Sequence, residues 1–206
     1  MVLLRLLDQP IFVLHGAATS VAEAVGFLTG VWCVLLVSRQ SVFNFPVGIA
    51  NSAMLCLVFY YKRLFGDAAL QIFFLTLGFH GWWEWLRGGV ARTPRQLTQV
   101  ASAEAACLLV LVIPATLGLQ RLLISLGGAA PLWDALVTTL SLAAQWLMNR
   151  KKVQSWIVWI VVDLISVPLY VSRELYVTAL LYAIFLGLAL RGYVLWRGAF
   201  VRSYAV

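Results

Sequence analysis

The chain has 206 residues, 63% of them hydrophobic and 11% charged, with a formal net charge of +7. A water-soluble globule cannot hide that share of apolar surface, so lipid must solvate much of it. The excess cations stand in small groups at the ends of apolar stretches, with no basic groove or recognition motif, which argues against nucleic acid as a partner and for membrane topology and anionic lipid.

The opening stretch, MVLLRLLDQPIFVLHGA at 1–17, is interrupted by Arg5, Asp8 and Pro10 and lacks a basic start and a clean cleavage site. It reads as an interfacial helix and not a signal peptide. A spanning helix needs about 20 mostly apolar residues, and windows of that length fall at 18–37, 44–61, 67–86, 104–125, 131–149, 155–172 and 175–196. The expected fold is therefore an all-α integral membrane protein with seven transmembrane helices. The longest polar connection runs from Arg87 to Ala103, whereas 126–131 is a bare LGGAAP turn. An external N-terminus and a cytoplasmic C-terminus put ten basic residues inside (Arg39, Arg87, Arg92, Arg95, Arg150, Lys151, Lys152, Arg191, Arg197, Arg202) and five outside, as the positive-inside rule prefers.

Internal repetition is the next signal. The segment QIFFLTLGFHGWWEW at 71–85 matches YAIFLGLALRGYVLW at 182–196, an offset of 111, in five of fifteen places: Phe74 with Phe185, Leu75 with Leu186, Leu77 with Leu188, Gly81 with Gly192 and Trp85 with Trp196. At an offset of 112, Asn51 falls opposite Asp163. Helices 1 to 3 and 5 to 7 enter the membrane from the same side, so the expected arrangement is a parallel 3+1+3 repeat. The divisions are an interfacial segment at 1–17, a first three-helix unit at 18–86, a loop and linker helix at 87–130, a second unit at 131–197 and a cytoplasmic tail at 198–206.

Helix 6 carries Trp156, Trp159 and Asp163 at i, i+3 and i+7, one helical face. An acid inside an apolar run costs at least about 2.5 kcal/mol, so it has to face a cavity or a partner. Two indoles beside a carboxylate suit a flat cationic ring; the alternatives are a helix-bridging hydrogen bond for Asp163 and interfacial anchoring for the indoles. Helix 3 shows a stripe of Gln71, Phe74, Gly78, Trp82 and Trp85, answered in helix 7 by Tyr182, Phe185, Ala189, Tyr193 and Trp196. The polar tips of Gln71 and Tyr182 can take sugar or amide groups. Asn51 and Gln145 are intramembrane amides, either ligand contacts or helix packing. Glu23 and Glu104 stand near helix starts, where the dipole favours a carboxylate, and His15 and His80 look isolated. Cys33, Cys56 and Cys107 lie in apolar stretches without metal-site spacing. With no HExxH, nucleophile motif or phosphate loop, neither an enzyme nor a cofactor or metal site is expected.

Three segments, SRQSVFNFPVGIANS at 38–52, LQIFFLTLGFHGWWEWLR at 70–87 and AQWLMNRKKVQSWIVWIVVDLISVPLYV at 144–171, resemble the PnuC family of bacterial vitamin transporters, over about residues 20–197. The resemblance implies a 3+1+3 fold like a full-length version of the sugar-transporting SWEET proteins. It also implies homotrimers in the inner membrane and facilitated diffusion of nicotinamide riboside, trapped inside the cell by phosphorylation. Carried onto this chain, the helix 6 motif becomes Trp156, Trp159 and Asp163, and the remaining substrate contacts map to Asn51, Gln71, Gln145 and Tyr182. Where carriers of nicotinamide riboside commonly have Asn at the last motif position, this chain has Asp163. Thiamine, another permanently cationic aromatic vitamin carried within the family, therefore stands as the alternative substrate, and a non-transporting membrane scaffold as the alternative of a different class.

Overall fold

The computed structural model describes residues 10–14, 17–61, 65–127 and 130–204. Arg5, Asp8, His15, Lys62, Arg63 and the side chain of Glu23 lie outside the described part. Of the interfacial helix expected at 1–17, residues 1–9 and 15–16 lie outside the described part, and in the rest β1 (Pro10–Leu14) pairs antiparallel with β2 (Ala17–Ser20) in place of a helix. Pro10 lacks the N–H a helix interior needs, and Ile11, Phe12 and Val13 favour extended backbone.

Seven helices follow: α1 (Val21–Ser38), α2 (Asn44–Tyr61), α3 (Phe65–Arg87), α4 (Ser102–Ser125), α5 (Pro131–Asn149), α6 (Ser155–Ser172) and α7 (Tyr176–Tyr204). The bounds of α2, α5 and α6 coincide with the expected spans. α7 does not stop at 196 but runs on to Tyr204, so the tail expected at 198–206 is helical as far as it is described; no proline interrupts Arg197–Tyr204, and a lone Gly198 costs a helix only about 1 kcal/mol. Among the described residues, four helices, α2, α4, α6 and α7, are long and apolar enough to cross a bilayer, and α1 contributes a shorter apolar stretch, Ala24–Ser38. α5 tolerates Asp134, Gln145 and Asn149 because it is sheltered, burying Ala135, Thr139, Ala144, Leu147 and Met148 as well as Asn149. The chain is thus a multi-pass helical membrane protein.

Neighbour relations set the architecture. α1 packs on α2 and α7, α3 on α2 and α5, and α6 on α5 and α7. Six helices therefore close into a ring in which α2 stands opposite α6 and α3 opposite α7. α4 lies outside the ring against α5, joined to it by the 2.6 Å contact between the hydroxyls of Thr116 and Thr139. Leu109, Val110, Leu111 and Ile113 of α4 are exposed, an apolar face for lipid.

At one end of the ring the same local structure occurs twice, at the offset of 111 seen in the sequence. The turn after α1 and the turn after α5 each place one residue in the left-handed region, Gln40 (φ 55°) and Lys151 (φ 50°). The amide of Gln40 donates to the Val37 carbonyl at 2.8 Å and that of Lys151 to Met148 at 2.9 Å. Phe45 meets Trp85 edge-on with ring centroids 5.1 Å apart, and Trp156 meets Trp196 edge-on at 5.5 Å. Gly81 and Gly192 make room for these rings, since a Cβ would overlap Phe45 at the first and Trp156 at the second. Followed along α2 and α6, this offset pairs Asp163 with Ser52 and Asn51 with Val162. The pairing of Asn51 with Asp163 at 112 is corrected by one residue, because both helices start in the same register, Asn44 with Ser155.

A strap crosses this end. Between α3 and α4, the Thr98 amide donates to the Lys151 carbonyl at 3.1 Å and the Val153 amide to the Thr98 carbonyl at 3.0 Å, while the Val100 amide donates to Gln154 Oε1 at 3.0 Å. Glu104, in the first turn of α4, pairs with Lys152 at 2.9 Å. Arg95 pairs with the largely buried Glu84 and donates to the carbonyls of Gly88 (2.9 Å) and Arg150 (3.2 Å). His80, isolated in the sequence, stacks on Trp146 with centroids 5.3 Å apart and lies 3.9 Å from Glu84.

Candidate functional site

α6 starts two residues after the buried Val153 and presents Trp156, Trp159, Asp163, Ser166 and Tyr170 at alternating spacings of three and four, so one face carries them all. At 1.5 Å per residue, Asp163 lies about 12 Å along an 18-residue helix, close to its middle. Its side chain is buried, 2% exposed. Among the described residues, no hydrogen bond or ion pair reaches its carboxylate.

Across the α6–α7 contact, Tyr182 lies within electrostatic reach of Asp163. Its ring stacks on Tyr170 at 5.1 Å and meets Phe185 edge-on at 6.1 Å. Phe185 reaches over to α1, where a Cβ on Gly30 would come within 3.2 Å of its ring. Asp163, Tyr170 and Tyr182 are therefore brought together in the half of the ring away from the strap.

The other expected residues are spread more widely. Trp156 is buried against Gly192 and Trp196 in the apolar cluster at the strap end, its indole N–H without a partner among the described residues. Trp159 is half-buried against the same cluster, one turn nearer Asp163. Asn51 stands in the middle of α2, across the ring from Asp163; its Oδ1 is buried, has no partner among the described residues and lies close to Gly26 of α1. Gln145 donates to Asn149 Oδ1 at 2.9 Å, and Asn149, fully buried, donates to the Leu77 carbonyl at 2.7 Å, a clasp between α5 and α3. Gln71 is half-buried on α3, which stands across the ring from Tyr182 on α7.

Three polar or aromatic residues of this neighbourhood escape a motif that ends at Asp163: Ser166, Tyr170 and Asn149. The first two could have been found by carrying the α6 stripe on by three and seven positions. Outside the membrane segments, burial holds the Lys151 amine below the ordinary lysine range, where it lies 4.5 Å over the Trp85 ring. Among the described residues, no group of three His, Cys, Asp or Glu side chains could hold a metal ion. Among the described residues, the arrangement leaves a carboxylate, aromatic rings and buried hydrogen-bonding atoms without polar partners inside a helical ring, groups that can bind a small molecule and that form no catalytic constellation.

The family model described as "Nicotinamide mononucleotide transporter" matches residues 20–198, from α1 into the last turns of α7. The nicotinamide riboside transporter PnuC of Escherichia coli is 28% identical over 200 residues, covering 84% of each chain. The riboflavin/roseoflavin transporter RibM of Streptomyces davaonensis is 26% identical over 190 residues, covering 90% of this chain and 89% of its own. The crystal structure of the vitamin B3 transporter PnuC superimposes with a TM-score of 0.70 at 23% identity, over 88% of this chain and 82% of that one, a likeness of fold. With the family model spanning all seven helices, the chain belongs to the PnuC family of nicotinamide mononucleotide and riboside transporters.

Proposed function

We propose that the chain takes up nicotinamide riboside across the bacterial inner membrane by facilitated diffusion, with phosphorylation inside the cell trapping the product. The observation that carries this reading is the Asp163 carboxylate, buried midway along α6 with no hydrogen bond or ion pair to it among the described residues. A carboxylate in such surroundings calls for a cation, and a permanently cationic pyridinium ring supplies one together with a face for aromatic side chains. Substrate is held by Trp159, Asp163 and Tyr182 directly, with Asn51 and Gln71 answering from the opposite side of the ring. Trp156 and Gln145 complete the site from its strap end, positioned through Trp196 and Asn149 respectively.

The fold that moves around this site is a parallel 3+1+3 repeat of the SWEET kind, with units at 18–86 and 131–197, an interfacial segment at 1–17, the linker at 87–130 and the tail at 198–206. Its support is the recurrence, at an offset of 111, of the two turns, the two aromatic pairs and the two glycines. The N-terminus lies outside and the strap end faces the cytoplasm, in keeping with the placement of Arg39, Arg95, Arg150 and Lys152 there. Homotrimeric assembly belongs to the same reading, on the strength of the family resemblance.

Thiamine is the second reading, favoured by the same observation: Asp163 would neutralise a thiazolium as readily as a pyridinium, and would do less for a neutral flavin. Calorimetric titration of the detergent-purified chain with nicotinamide riboside and with thiamine, repeated on Asp163→Asn, separates the cases. Binding of nicotinamide riboside that weakens in the variant is expected. Binding of thiamine alone moves the substrate to the second reading, and binding of neither by a folded protein returns the chain to a scaffold role.

A further inference from the structure

We infer that Ser166 is a substrate-contacting, specificity-determining residue, its hydroxyl kept free for a hydrogen-bonding group that lies next to the cationic ring of the transported molecule. The inference rests on the transport reading above and deepens it.

Hydroxyls in apolar helices ordinarily bond back to a carbonyl three or four residues earlier. Thr29 donates to Val25 at 2.6 Å, Thr76 to Ile72 at 2.9 Å, Thr139 to Ala135 at 2.9 Å and Ser141 to Val137 at 2.7 Å. Ser166 departs from this habit. It is completely buried, yet its Oγ has no partner among the described residues. A buried hydroxyl left unpaired is costly, and an unexplained one marks a place where something else binds.

Its position says what that is. Ser166 stands one turn beyond Asp163 on the same face of α6, with Tyr170 one turn further on. Side chains at this spacing sit about 5–6 Å apart at Cβ, the separation of neighbouring functional groups on one small molecule. Asp163 offers acceptors only, whereas Ser166 can donate or accept. Together they suit a ligand with a cationic ring and a carbonyl, amide or hydroxyl beside it.

Helix packing does not call for a serine here. The two halves share their strap-end structure at an offset of 111, and at that offset Asp163, Ser166 and Tyr170 correspond to Ser52, Leu55 and Phe59 of α2. Leu55 packs by Gly26 of α1. An apolar side chain therefore fills the corresponding position in the first half, and the hydroxyl and the carboxylate appear together in the second half alone.

The test uses the full chain in detergent, with two readouts on Ser166→Ala: melting temperature without ligand and affinity for nicotinamide riboside. Removing an unpaired hydroxyl is expected to leave the melting temperature unchanged or raised, while the loss of one ligand hydrogen bond weakens binding roughly threefold to tenfold. Unchanged affinity overturns the inference, as does a lowered melting temperature, which would mean that the hydroxyl serves the fold. If the wild-type chain binds neither nicotinamide riboside nor thiamine, the transport reading falls by itself. The melting temperature then decides the hydroxyl: no decrease supports a group reserved for a ligand of other chemistry, and a decrease overturns it.

Discussion

Trp85 and Trp196, 111 residues apart in the chain, lie beside each other with ring centroids 6.0 Å apart, and each donates its indole N–H to a carbonyl of an adjacent helix, Trp85 to α5 and Trp196 to α1. Trp85 bonds the Met148 carbonyl and Trp196 the Val37 carbonyl, both at 3.2 Å. With Phe45 and Trp156 at the flanks, four aromatic rings and two hydrogen bonds join the halves at the strap end. The same aromatic pair and indole bond thus occur twice, 111 residues apart in the chain.

From this pair follows the first prediction. Trp85→Phe and Trp196→Phe should destabilise the chain by similar amounts, about 1–2 kcal/mol each, from one hydrogen bond and part of a ring. Neither carbonyl is stranded, since Val37 and Met148 still accept the amides of Gln40 and Lys151. The double variant should lose a different amount from the sum, because the rings touch. Thermal melts in detergent read all three, and strongly unequal single losses would argue against equivalent roles.

Glycine substitutions distinguish close packing from freedom to hinge. Gly81→Ala would drive a methyl group into Phe45 and the Asn149 amide, and Gly192→Ala into the Trp156 indole. Both should cost about 1–3 kcal/mol or more, as overpacked cores do. Gly187 has nothing within 4 Å of its missing Cβ, so Gly187→Ala should be neutral or stabilising by about 0.5–1 kcal/mol. Transport lost in Gly187→Ala without loss of stability would instead make that position a flexing point of α7.

One of the ion pairs at the strap ties it to α3. Arg95 neutralises Glu84, whose side chain is 11% exposed, and also ties the carbonyls of Gly88 and Arg150. Arg95→Ala should therefore destabilise by about 3 kcal/mol, mostly from the carboxylate left unpaired. Adding Glu84→Gln should recover part of the loss. A double variant no better than Arg95→Ala would put the cost in the two carbonyl contacts and not in the charge.

How far all this could be read from sequence differs from residue to residue. The bounds of α2, α5 and α6 were legible because turn residues or Pro131 mark their ends, while the exit of α7 was not, since Arg197 and Arg202 mark where apolar sequence ends and a helix need not end there. Gly81 with Gly192 and Trp85 with Trp196 were visible as identities. Phe45 and Trp156, which play the same part, differ in kind and so left no trace. Asn149 was passed over because its partner is the Leu77 carbonyl, and backbone acceptors have no letter in the sequence. Asp163 announced itself through the cost of an acid in an apolar helix, whereas a serine costs too little to be noticed until its missing hydrogen bond is seen.

Lys151 supplies a pH test at the strap end. Burial lowers the pKa of its amine from the ordinary 10.5, so between the lowered value and 10.5 the folded chain binds fewer protons at this site than the unfolded chain, and stability rises with pH across that window. Below it, the folded protein bears the full cost of a buried charge, offset in part by the Trp85 ring beneath the amine. Lys151→Met keeps the cover over Trp85 and removes the charge. The variant should thus be at least as stable as the wild type at neutral pH, and its advantage should shrink as pH climbs, vanishing by about 10.5. Chemical denaturation of both proteins at several pH values measures the difference directly, and a gap that stays constant with pH would mean that the Lys151 amine is solvated in the folded chain and titrates as an ordinary surface lysine.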